Sequence, residues 1–193
     1  MQATNEARCR FILVASTLLT SWLGMQQVHE LGHVLGAWLT GGQVERVVLP
    51  SVGFSRTDLA ANPRPLVVAW SGPAFGAMAP LMAWLAAAAI RMPGAFVLRF
   101  FAGFCLVANG LYLGVGAFDK VGDCGDLLRH GAQTWQLWLF GLATAPAGLW
   151  LWHGLGPKFG LGANAQPVSR QHIFGLVIVS SVLVAIALLI GGE

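Results

Sequence analysis

Long apolar runs constrain this chain more than any other feature. Lipid offers no water to bond free N–H and C=O groups, so a run that crosses a bilayer must be a helix or part of a closed barrel. The first run extends from about Phe11 to Leu39, and others cover about 66–90, 96–116, 134–155 and 173–190. A helix needs roughly 20 apolar residues to cross a hydrocarbon core of about 30 Å. The first run would be about 43 Å long as a helix, so it must tilt or project beyond that core. The pattern predicts an all-α polytopic, multi-pass integral membrane protein with about five transmembrane helices, the lipid bilayer being its immediate partner.

Composition agrees. Hydrophobic residues make up 56% of the chain and charged residues 10%, where soluble domains carry about 25% charged residues. Among the 8 acidic residues only Glu30 lies inside an apolar run. The 11 basic residues are scattered and the net charge is +3. That distribution suits membrane-flanking anchors and gives no reason to expect nucleic acid as a partner. The basic residues divide almost evenly between the two sides, so they set no orientation. Cys9, Cys105 and Cys124 are too far apart for a disulfide framework or a C-x-x-C metal site. Arg8 and Arg10 precede the first run as in a signal peptide, but the run continues into His29 and Glu30 without an A-x-A-like cleavage site. The first span is therefore expected to be retained.

The connections are short. In the longest, 41–65, Val44, Arg46 and Val48 alternate with Glu45 and Val47 before Pro50. Val52, Phe54 and Arg56 supply a second strand, so a short β-hairpin at the membrane surface is expected. Asn62-Pro63-Arg64-Pro65 is a turn into the second span. Pro146 should kink the fourth span, and Trp135, Trp138, Trp150 and Trp152 mark its two interfaces. The glycine-rich segment 154–167 reads as a flexible linker.

Within the first run stands His29-Glu30-Leu31-Gly32-His33. Residues four apart share one helix face. Two imidazoles so placed can bind one zinc ion, and the glutamate between them can serve as general base on a water activated by the metal. Ionisable groups are expensive at that depth and mark function rather than packing. A catalytic zinc takes a third protein ligand and keeps one position open. Candidates lie in Asp119–Asp126, after the third span. Two crossings separate His33 from this segment, which returns the chain to the same side of the membrane. Asp123 is the preferred ligand, with Asp126 and the Cys124 thiolate as alternatives.

These segments resemble, in order, the site-2 protease family of intramembrane zinc metalloproteases. His29-Glu30-Leu31-Gly32-His33 is similar to its zinc motif and Ser71-Gly72-Pro73 to its Asn/Ser-Gly-Pro motif. Gly122-Asp123-Cys124-Gly125-Asp126-Leu127-Leu128 is similar to its Leu-Asp-Gly segment. Here Gly122 replaces the usual leucine and Cys124 the usual glycine, and Asn109 resembles an asparagine that normally lies nearer the aspartate. The resemblance implies a zinc metalloendopeptidase of the H-E-x-x-H type. It implies a three-helix core over 1–130, with spans about 11–39, 66–90 and 96–116, followed by two C-terminal spans in 131–193. It makes His29, His33 and Asp123 the metal ligands and Glu30 the catalytic residue. Ser71, Gly72, Pro73 and Asn109 become candidates for substrate binding. The implied substrate is a membrane protein or peptide cut in or near the bilayer, and the hairpin could receive it as an added strand. A catalytically inactive membrane scaffold and a metal or proton transporter are the competing readings; the second calls for further ionisable groups along a path, and the other spans contain almost none.

Overall fold

The computed structural model describes residues 2–50 and 53–190. Helix α1 spans Gln2–Leu39, without a proline to interrupt it, and is about 57 Å long at 1.5 Å per residue. It ends where Gly41 turns left-handed (φ +79°) and the Gly42 N–H returns to the Ala37 carbonyl at 2.7 Å. A two-stranded antiparallel hairpin follows, β1 (Gln43–Val48) and β2 (Arg56–Ala61). Helix α2 (Pro65–Ala89) starts on a proline, whose missing N–H costs nothing in a first turn. Helices α3 (Ala95–Asp119), α4 (Asp123–Arg129), α5 (Thr134–Trp152) and α6 (Arg170–Ile190) complete the chain, with a 3-10 turn at Gly156–Phe159.

Helix α1 packs against α2 on one side and α6 on another; α2 packs against α3, and α3 most extensively against α5. The α1–α2 seam is built from small residues. Gly32 lies so close to the Ser71 carbonyl and the Gly72 Cα that a Cβ there would collide with both, and Gly36 is filled by the Ser71 side chain. Close approach of this kind is how helices associate in lipid, where apolar burial supplies no drive. On the other side, Thr20 Oγ1 and Ser180 Oγ lie 2.6 Å apart, and Gln27 Nε2 donates to the Leu183 carbonyl at 2.8 Å, tying α6 to α1.

The protein is a multi-pass integral membrane protein, but the expected number of spans is corrected from five to four. Among the described residues the helices long and apolar enough to cross a bilayer are Asn5–Leu39, Pro65–Ala89, Ala95–Asp119 and Arg170–Ile190. The expected span at about 134–155 is the 19-residue α5, whose tryptophans, Gln136, Thr144 and Pro146 dilute its hydropathy. It lies instead on a glycine seam: a Cβ on Gly148 would come within 2.5 Å of the Gly103 carbonyl.

Two loop expectations also change. The second strand lies at Arg56–Ala61 rather than around Val52–Arg56. Val52 falls outside the described residues, and Phe54 stands in the loop, its ring stacked on Tyr112 with centroids 6.3 Å apart. Arg46 pairs across the hairpin with Asp58 at 2.6 Å, which sets the register. Segment 154–167 is anchored, not a free linker: Phe159 is 5% exposed and packs with Leu13, Leu155 and Leu176.

Candidate metal centre

His29, Glu30 and His33 occupy one face of α1, turned inward, and all three are buried. Asp123 reaches them because the chain reverses sharply after α3. Lys120 takes a left-handed conformation (φ 55°), and Gly122 sits at φ 58°, ψ −139°, a region essentially reserved for glycine. A Cβ at Gly122 would also strike the Tyr112 hydroxyl. The departure from leucine at this position thus has a local cause. The Asp123 N–H donates to the Tyr112 hydroxyl at 3.0 Å, which fixes the start of α4 against α3.

The tautomers follow from the second layer of contacts. Asn109 Nδ2 donates to the Cys105 carbonyl at 2.9 Å, which turns its Oδ1 towards His29 Nδ1 at 2.7 Å. His29 therefore carries its proton on Nδ1. His33 Nδ1 faces the Val68 carbonyl at 2.8 Å and is a donor likewise. Both Nε2 atoms are left as acceptors, and both face Asp123 Oδ2, at 2.8 and 3.3 Å, while lying 3.1 Å from each other. Three acceptors at such distances repel unless a cation stands between them. Donors about 2.0–2.1 Å from a tetrahedral zinc are about 3.3–3.4 Å apart, close to the spacings found. The donor set, two imidazoles and a carboxylate all within 4.8 Å of one another, fits a divalent metal ion.

The other candidates for third ligand lie elsewhere. Asp126 is exposed and accepts from Arg129 at 2.8 Å. Cys124 is buried beneath α3, its Sγ 3.3 Å from the Tyr112 carbonyl, in a cluster with Leu113, Leu127 and Leu137; burial pushes its thiol up to about 11.

The geometry corrects the expectation of a zinc metalloendopeptidase of the H-E-x-x-H type. The converging donors are those of a His-x-x-x-His pair and a distant aspartate, and no glutamate is among them. Glu30 is turned to the hairpin instead, where its Oε2 accepts from Thr57 Oγ1 at 2.6 Å.

Ser71, Gly72, Pro73 and Asn109 were candidates to bind substrate. The Ser71 hydroxyl donates to the Val67 carbonyl of its own helix at 2.6 Å. Gly72 gives room to the His33 ring, which a Cβ there would strike. Pro73 is fully buried. Asn109 holds His29. Of the four, Gly72 and Asn109 stand against the histidines.

A cavity of about 1080 Å³ opens onto the centre. Its wall includes Gln26, Thr57, Asn62 and Tyr112, none of which stood out in the sequence. For Tyr112 a signal existed: it is the chain's one tyrosine, three residues beyond Asn109 on the same helix face. Thr57 had none.

Comparison with protein-family models, with curated proteins and with solved structures returned no match. The resemblance drawn from the motifs therefore stands without a family assignment. What is shown is a membrane protein rich in spanning helices, carrying a buried His-His-Asp cluster suited to a metal ion.

Proposed function

We propose that this protein hydrolyses a peptide bond of a membrane-protein or peptide substrate, in or beside the bilayer, at a metal ion held by His29, His33 and Asp123. The observation that carries the reading is three acceptor atoms converging on a point at the wall of a cavity large enough for a peptide. Two nitrogens and an oxygen favour zinc over magnesium or calcium, which prefer all-oxygen sites. When bound, such an ion polarises a carbonyl and lowers the pKa of a water towards neutrality. In this proposal Asn109 and the Val68 carbonyl keep both imidazoles in the ligating tautomer. Glu30, beside the cluster and in the cavity wall, holds one carboxylate oxygen on Thr57 and keeps the other to take a proton from water and return it to the leaving amine. Residues 1–130 would form the working core and 131–193 its supporting helices.

The test is zinc content of the detergent-purified chain, wild type beside His33→Ala and Asp123→Ala, followed by cleavage assays with Glu30→Gln. About one zinc per chain, lost in both ligand variants, with cleavage lost in Glu30→Gln at unchanged zinc, is the expected result. Zinc bound without cleavage of any membrane peptide would make the protein a metal-binding scaffold.

A further inference from the structure

Few buried side-chain polar atoms lack a hydrogen-bond partner among the described residues, and those of Gln26 and Asn62 belong to the wall of the metal-bearing cavity. Gln26 is 5% exposed, and neither its Nε2 nor its Oε1 has a partner. Buried amides left unpaired are costly and rare. Its neighbour Gln27 shows the contrast, its amide being spent on the Leu183 carbonyl of α6. Gln26 stands three residues before His29 and four before Glu30, so it lies on their face of α1, one turn deeper. Asn62 follows β2, where the neighbouring Ala61 carbonyl packs on Gly42 beyond the far end of α1; its Oδ1 is the unpaired atom. The two side chains thus bracket the centre along the axis of α1.

A peptide unit presents one N–H and one C=O, and a carboxamide presents the complementary pair. We propose that Gln26 and Asn62 are main-chain anchors for an extended polypeptide that runs through the cavity past the metal centre. Gln26 pairs with the N–H and C=O of one peptide unit, and Asn62 accepts an N–H on the other side. The proposal rests on the reading of a peptide substrate and deepens it. In a helix those main-chain groups are already bonded to one another, so the anchors select an unwound segment. They are also blind to side chains. Sequence preference falls to the apolar wall, where Trp22, Met25, Leu111 and Val115 stand.

The test uses a capped hexapeptide of leucine and alanine and a set of its depsipeptides, each with one amide N–H replaced by an ester oxygen. Binding is measured calorimetrically to the full chain in lipid nanodiscs, for wild type, Gln26→Leu, the volume-conserving Gln26→Met, and Asn62→Leu. Wild type should lose about tenfold in affinity for the depsipeptide that lacks the anchoring N–H. In both Gln26 variants that loss should shrink to about twofold or less, with a second ester position responding to Asn62→Leu. The unliganded Gln26 variants should unfold at or above the wild-type temperature, because an unpaired buried polar group has been removed. A glutamine with a merely structural role would lower that temperature and leave the discrimination intact. Failure of wild type to bind the peptide, or full discrimination persisting in the Gln26 variants, overturns the proposal. Cleavage, scored separately, tells the two readings apart. Anchors that hold in a protein that cuts nothing sink hydrolysis alone. Cleavage by Gln26→Leu at wild-type kcat and KM sinks the anchors alone.

Discussion

Replacing Asn109 with alanine should weaken zinc binding without touching a ligand. The side chain is 1% exposed and accepts the His29 Nδ1 proton at 2.7 Å. Nothing else among the described residues bonds that proton, so Asn109→Ala leaves it buried and unpaired. Stranding a buried donor costs about 1–3 kcal/mol. At 1.4 kcal/mol per factor of ten, that is a loss of about 5- to 150-fold in affinity. Removing a partner of a ligating histidine typically costs 10–100-fold by direct experience of such sites, so the two routes agree. The alanine also frees the imidazole to place its proton on Nε2, where it blocks the metal. The assay is competition for zinc against a chromophoric chelator, with far-UV circular dichroism and gel filtration to confirm that the bundle is intact. A folded Asn109→Ala with zinc affinity within about twofold of wild type would refute the tautomer argument, and with it the reading of the three acceptors.

Thr57→Val keeps shape but takes the hydroxyl from Glu30. A hydrogen bond to a charged group contributes about 1.5–3 kcal/mol, so the β2 amides should exchange markedly faster while zinc content is unchanged; equal exchange would show that Glu30 does not hold the hairpin. Zinc should be released in acid, because the ligating nitrogens must be unprotonated; a pH titration of bound zinc reads this directly. The Asp58 carboxyl is held below its ordinary range by its hydrogen bond from Arg46, with Arg56 adding to it against the opposing effect of burial. A depressed pKa contributes stability that is present above the unfolded value of about 3.9 and fades as pH drops through the lowered one. Hairpin protection should therefore hold at pH 5 and weaken in stronger acid, by a small amount since the pair is exposed to solvent. Asp58→Asn should remove that pH dependence.

The centre was legible because its two histidines lie one helical turn apart in sequence, and because the span count returned Asp123 to their side. The turn that completes it could be read only in part. Gly122 looked like a departure from the motif, while its φ and its fit against Tyr112 depend on α3 and α4 together. Asn109 was placed in the right helix, but its role was set by which end of the amide the Cys105 carbonyl takes. The second strand was misplaced because Val52 and Phe54 have strand-like side chains. Tertiary contact overrides that preference, since Phe54 is held on Tyr112 and the ladder falls on the more polar Arg56–Ala61. Segment 154–167 looked featureless because its anchors, Leu155 and Phe159, stand singly among glycines and polar residues. Length made α5 a span, whereas its hydropathy and its glycine contacts with α3 set it apart from the other four.

The glycine facing His33 has a consequence for how the protein can change. On a helix face with open space beside it, glycine to alanine is a gentle substitution. At position 72 the added methyl would point at Nε2 of His33, the nitrogen that offers its lone pair to the ion. One inert carbon, contributed by a neighbouring helix, would act as a histidine knockout with every ligand still in the sequence.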